Sequence, residues 1–115
     1  MSDRSMQEPT LLILTALADA PRHGYGLIQE IEAISAGRYR MRTGTLYGAL
    51  DRLLSQQLIA VEREEVVDGR ARRFYTLTGQ GRAALAAEAE RLRSVAAEAE
   101  RRLRVLRPGL QGGAA

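Results

Sequence analysis

The 115 residues contain no cysteine, no lysine and no tryptophan, and they hold one histidine, His23, and one phenylalanine, Phe74. Without cysteine there is no disulfide, no thiolate metal site and no cysteine nucleophile. A single histidine excludes a histidine-rich zinc site. It also leaves no nucleophile–base pair except through carboxylates that fall on solvated faces, so an enzyme is poorly supported and neither cofactor nor metal is expected. Long hydrophobic runs are missing too. Thr10 to Ala20 is densely apolar, but at that length it reads as a core helix rather than a membrane span. The opening residues, Met1 to Glu8, are polar and show no secretory signal, so a soluble cytoplasmic protein is the expectation. The length allows one small domain with an appended element, not a second full core. The absence of lysine is ascribed to a bias toward arginine codons and carries no functional weight.

The net charge is only +3, too small to announce a polyanion partner by itself. Its distribution says more. Arg38, Arg40, Arg42 and Arg52 stand against one acid, Asp51, and Arg70, Arg72 and Arg73 form a second cluster. Glu30, Glu32, Glu62, Glu64 and Glu65 lie mainly outside both segments. Segregated charge of this kind is what a nucleic-acid footprint requires.

The hydrophobic period predicts the elements. A first helix opens at Pro9 and runs to about Ala20, apolar nearly all round; a chain this short has little to cover it, so a partner subunit is expected to do so. A second helix spans about His23 to Ser35, with Leu27, Ile31 and Ile34 inward and Gly37 ending it. A third covers about Thr43 to Gln56, with Thr43 as N-cap. Its Leu46, Leu50, Leu53 and Leu54 make a buried stripe, while Gly44, Gly48, Asp51, Arg52 and Ser55 make a small, polar outer face flanked by Thr45 and Tyr47. Leu58 to Val66 and Arg70 to Thr78 read as two strands around the hairpin turn Asp68-Gly69, with Ile59 and Val61 against the core. From Gly79 to Arg107 the chain is one long helix whose Leu85, Ala89, Leu92, Ala96, Ala99, Leu103, Leu106 and Leu110 advance in steps of four and three, a heptad seam. Glu98 with Arg102 and Glu100 with Arg104 are suited to i, i+4 pairing. Such a seam gains nothing on a lone helix, so it reads as a subunit interface. Pro108 is expected to stop the helix. The fold class is therefore mainly α with a small β-hairpin: a winged helix-turn-helix over residues 1–78, a dimerisation helix over 79–107 and a disordered tail over 108–115.

These residues resemble the PadR family of bacterial transcriptional regulators. The carrying segments are His23-Gly-Tyr25, Gly44-Thr-Leu-Tyr47 with Ala49-Leu50, Leu58-Ile59, Asp68-Gly-Arg70, Arg73-Phe-Tyr-Thr-Leu-Thr78 and Gly81-Arg82. They occur in order and at the right spacing over roughly residues 9 to 95, and the single helix after the wing is similar to the smaller of the family's subclasses. The resemblance implies a homodimer in which each C-terminal helix packs on the partner's N-terminal helix. Two recognition helices then enter successive major grooves of a pseudo-palindromic operator. It further implies a repressor, in several members released by a small planar effector. Two departures stand out. Gly48 occupies a slot where the family usually has proline, and the absence of tryptophan removes the aromatic sandwich some members use for flat drugs.

The candidate DNA-binding residues are Tyr25, Arg40, Arg42, Thr43, Gly44, Thr45, Tyr47, Gly48, Arg70, Arg72 and Arg73. Arg70 and Arg72 rank above Arg73, whose stem should pack along its strand. Tyr47 reads as a phosphate donor ahead of a cap on the core; for Tyr25 the two roles are nearly balanced. His23 reads as a helix cap or turn residue rather than a ligand or sensor. Gly44 and Gly48 each cost up to about 1 kcal/mol relative to alanine inside a helix. Either close backbone approach to a groove or a late helix start accounts for them. The candidate dimer residues are Leu11, Leu14, Leu85, Ala89, Leu92, Ala96, Ala99, Leu103 and Leu106. An effector, if there is one, is expected between the first and last helices, near Leu14, Leu92 and Val95. The competing reading is a winged-helix module whose basic faces bind an acidic protein.

Overall fold

The computed structural model describes the backbone of residues 6–114 and the side chains as far as residue 105. The elements are α1 (Glu8–Ala16), α2 (Gly24–Ile34), α3 (Thr43–Ser55), β1 (Ile59–Val67), β2 (Arg70–Leu77) and α4 (Gly79–Ala114). Packing divides the chain into one unit ending at Leu85 and a second beginning at Ala86.

In the first unit, three helices close on one core built from Ile13, Leu14, Leu17, Leu27, Ile31, Leu46, Leu50, Leu53 and Ile59, all fully buried. The stripe expected on the third helix is thus the side of α3 that enters the core. On α2, Leu27 and Ile31 are inward, but Ile34 is exposed and Ile28 is the residue packed against the core. The first helix ends at Ala16, four residues earlier than expected. Its apolar girth needs no partner: α2 and α3 cover it, and Leu12, Ile13, Leu14 and Ala16 are buried within the single chain. Leu14, with no exposed surface, cannot serve a dimer contact or line an effector groove. Leu11, half-buried, keeps a free side.

Both α2 and α3 stop in Schellman turns, the motif that returns two N–H groups to the last orphan carbonyls. After α2, Gly37 N donates to Glu32 O at 2.8 Å and Ala36 N to Ala33 O at 3.1 Å. After α3, Leu58 N donates to Leu53 O and Gln57 N to Leu54 O, both at 3.0 Å. The left-handed residue of each turn is not glycine. Ala36 has φ 55° and Gln57 φ 64°, with Gly37 following at φ 80°. Ser35, buried, ties the α2–α3 connection by accepting from Tyr39 N at 2.9 Å.

The hairpin turns at Asp68 and Gly69, both with positive φ, the two-residue geometry that matches strand twist. Register runs Val67↔Arg70 to Arg63↔Phe74, slips at Glu62, and resumes as Val61↔Tyr75 to Ile59↔Leu77. That bulge rotates Arg63 onto the face of Phe74, Arg72 and Arg70. Ile59, Tyr75 and Leu77 remain on the core face, whereas Val61, expected against the core, is 39% exposed because β1 is already leaving it. On its free edge β2 gains a one-residue strand: Arg22 and Tyr75 exchange both backbone hydrogen bonds, at 3.1 and 2.9 Å.

Thr78 caps α4 by accepting from Gly81 N at 2.9 Å. Gly81 sits so close to the backbone that an added Cβ would lie 1.9 Å from Leu58 O. In the second unit, Glu98 pairs with Arg102 and with Arg101, both at 2.6 Å, and these guanidinium hydrogen bonds hold its carboxyl below the usual glutamate range. The Glu100–Arg104 pair is not formed among the described side chains. The helix passes through Pro108 to Ala114 rather than stopping, so the expected tail is helical to that point. Proline removes one backbone rung without forbidding helical φ. Of the seam residues, Ala89, Leu92, Ala96, Ala99 and Leu103 are exposed and Leu85 half-buried; the side chains of Leu106 and Leu110 lie outside the described residues. No described helix is long and apolar enough to cross a membrane.

Candidate nucleic-acid interface

The outer face of α3 is set by its start. Arg42 is the N-cap, in extended conformation and with no side-chain cap bond, so Thr43 is the first helical residue rather than the cap. The helix therefore does not start late, and Gly44 and Gly48 lie inside it. Both are exposed, and a Cβ built on either meets nothing within 4 Å. No contact among the described residues explains two glycines there.

The start of α2 is held beside this face. His23 is the N-cap, as the sequence suggests, its Nδ1 accepting from Gly26 N at 3.2 Å. Its ring meets the edge of Phe74 at 5.1 Å, and the Arg63 guanidinium lies 4.1 Å over the same Phe74 ring. This stack fixes the base of the wing against α2. Gly24, buried, leaves room for Tyr47: a Cβ there would come within 2.2 Å of the Tyr47 hydroxyl. Sequence reading quoted Gly24 within a motif but gave it no role. Its signal is a pairing between helices, which no local pattern carries.

Two hollows flank the α3 start. One, of about 240 Å³, is lined by Gly24, Tyr25, Ile28, Thr43, Tyr47, Arg70 and Arg72, with no carboxylate. Five of the residues selected from the sequence meet in it. The other, of about 360 Å³, is lined by Arg38, Tyr39, Arg40, Met41, Arg42 and Thr45. Arg38, part of the basic cluster in the sequence, joins this hollow although no sequence motif singles it out for DNA contact. Tyr25 and Tyr47 are 56% and 41% exposed, so neither is a core residue.

The arginines divide by whether they are already neutralised. Arg40 is bound to Glu32 at 3.2 Å and Arg73 to Glu64 at 3.3 Å. Arg63 is held by Glu62 and Glu65. The Glu64 and Tyr75 hydrogen bonds raise the Arg73 pKa further above its ordinary value. Arg38, Arg42, Arg70 and Arg72 have no acidic partner among the described residues. Arg72 faces Glu65 across the ladder, yet Arg63, two residues along the same face of β1, holds that carboxylate instead. Exposed ion pairs contribute about 0–1 kcal/mol each, so leaving the exposed Arg38, Arg42 and Arg70 unpaired costs the fold little and keeps them for an outside partner. The arrangement can bind a polyanion. Among the described residues no cluster of three or more histidine, aspartate or glutamate side chains is placed to hold a metal.

A family model described as the transcriptional regulator PadR-like family matches residues 13–87. The Mycobacterium tuberculosis transcriptional regulator Rv3488 is 46% identical over 88 residues, covering 76% of this chain and 78% of that protein. Among solved structures, a PadR family transcription regulator from Clostridium difficile superposes with a TM-score of 0.70 at 24% identity, over 83% of this chain and 97% of that one. Bacillus subtilis PadR, solved in complex with operator DNA, superposes with a TM-score of 0.64 at 20% identity, over 73% of this chain and 47% of its own.

Proposed function

The chain belongs to the PadR-like family of transcriptional regulators, which are not enzymes, and on that premise we propose that it binds double-stranded DNA as a homodimeric cytoplasmic repressor of a pseudo-palindromic operator. Residues 1–78 read the DNA and 79–107 pair the subunits. The observation that carries the reading is the unpaired state of Arg38, Arg42, Arg70 and Arg72 around the open face of α3. Thr43, Thr45 and Tyr47 supply hydroxyls, and Gly44 and Gly48 let a groove wall approach the helix backbone. The operator complex of the Bacillus subtilis relative supports the same use of this fold.

Pairing through α4 is supported by its exposed Leu92, Val95 and Leu103. With 40%, 57% and 63% of their surface exposed, each contributes roughly half of the about 1.5–3 kcal/mol of full burial, which from both chains offsets part of an association cost of about 4–15 kcal/mol. A small effector that releases the operator completes the proposal.

Fluorescence anisotropy with the DNA upstream of the chain's own gene tests it. Affinity should fall steeply with salt, as counterion release requires. Arg42→Ala should cost about 1–3 kcal/mol on the operator and much less on random DNA if Arg42 reads a base. Equal losses on both would make it a phosphate contact. Salt-insensitive binding, or binding to an acidic protein and not to DNA, would reject the proposal in favour of a protein-interaction module.

A further inference from the structure

Among the described residues, Arg72 Nε is the buried side-chain nitrogen that has no hydrogen-bond partner. An N–H shut off from water without an acceptor is a cost the fold has left standing. The carboxylates of the wing are committed elsewhere, Glu65 and Glu62 to Arg63 and Glu64 to Arg73. Asp51, which lines a neighbouring hollow with Arg72, forms no ion pair with it among the described residues. The ladder sets Arg72 opposite Glu65, but Arg63, two residues before Glu65 on the same face of β1, holds that carboxylate. The Arg72 side chain forms a wall of the carboxylate-free hollow with Tyr25, Thr43, Tyr47 and Arg70.

The hollow thus offers an arginine fork with an unused N–H, a second free arginine and three hydroxyl groups. The start of α2 adds to these. Gly26 N and Leu27 N are taken by His23, which leaves the N–H groups of Gly24 and Tyr25 at the positive end of the helix. A planar fork that grips two oxygens, with a second arginine and several hydroxyl donors around it, suits the several oxygens and the higher charge of a phosphate group and not a chloride ion.

We propose that this hollow is a phosphate site, gripped by the Arg72 guanidinium as it turns its orphaned Nε toward the anion, and that it accepts either a phosphodiester of bound DNA or a free phosphate anion. The second use rests on the DNA-binding reading only where it extends to competition: if both ligands share the site, phosphate loosens the operator beyond its contribution to ionic strength.

Inorganic phosphate, titrated into the full chain at ionic strength held constant with chloride, tests the site without DNA. Saturable shifts of the Gly24 and Tyr25 amides and of the Arg72 Nε proton are expected in NMR spectra. Arg72→Ala should abolish them, and Arg72→Lys should weaken them at least tenfold, since an ammonium keeps the charge but loses the fork. Thermal melts should show both variants folded, with Arg72→Ala altered only by the stem packing it loses and the orphaned N–H it removes. Shifts no larger than chloride produces, or shifts that survive Arg72→Ala, would overturn the site. The DNA arm separates the two sources. If phosphate at fixed ionic strength weakens operator binding several-fold in the wild type and not in Arg72→Ala, the ligands share the hollow. Phosphate saturation without competition would overturn that sharing and leave a free-anion site. Phosphate saturation in a protein that binds no DNA would sink the DNA-binding reading and not this one.

Discussion

At the scale of single residues, four glycines separate fold from function. Gly44 and Gly48 are helical, exposed and touched by nothing. Alanine at either should therefore stabilise the protein by up to about 1 kcal/mol while weakening operator binding, a split that denaturant melts and anisotropy read independently. Loss of stability, or unchanged DNA affinity, would refute the groove-approach explanation. Gly24→Ala should act differently. The clash is with the far end of the Tyr47 side chain, which can swing away, so stability should change by less than about 1 kcal/mol while DNA affinity falls. Gly81→Ala has no such escape, because the obstacle is the Leu58 carbonyl. It should destabilise by about 2–3 kcal/mol and leave the DNA surface intact.

At the scale of elements, the helix ends and the hairpin make their own predictions. Ala36 and Gln57 carry left-handed strain that costs about 1–2 kcal/mol for a residue with a Cβ. Ala36→Gly should therefore raise stability, by up to about 1 kcal/mol once the extra entropy of glycine is subtracted, as a denaturant midpoint would show. His23→Ala should cost about 1 kcal/mol through the lost cap, and more if the edge contact with Phe74 adds to it. What the sequence reveals at this scale follows from what is local. The stripe Leu46, Leu50, Leu53 and the turn Asp68-Gly69 are written in adjacent residues, and each appears where expected. The bulge at Glu62, the Arg22–Tyr75 pairing and the Gly24–Tyr47 approach join distant segments, and no period announces them. Leu14 illustrates the same limit: a helix apolar all round suggested a partner subunit, but α2 and α3 of the same chain cover it. Within the site, residues singled out in the sequence lie together at the starts of α2 and α3 and on the wing. The sequence could not tell that Arg40 and Arg73 are occupied by Glu32 and Glu64 while Arg70 and Arg72 are not.

At the scale of the whole molecule, the exposed seam of α4 and the unpaired arginines of the first unit have one joint use under the proposed function, two chains acting on one duplex. Leu92→Arg places a charge in the seam and should shift the protein to single chains in sedimentation velocity at micromolar concentration. The first unit should stay folded, and operator affinity should fall by more than tenfold. If the variant remains paired, or single chains bind as tightly, the seam is not the subunit interface. The measurement that bears most directly on the account is the stoichiometry of the complex with a footprinted operator, taken by sedimentation equilibrium. Two chains per duplex, protecting neighbouring major grooves about one helical turn apart, is the predicted result. One chain per duplex, or a protected region without two-fold related halves, would contradict it.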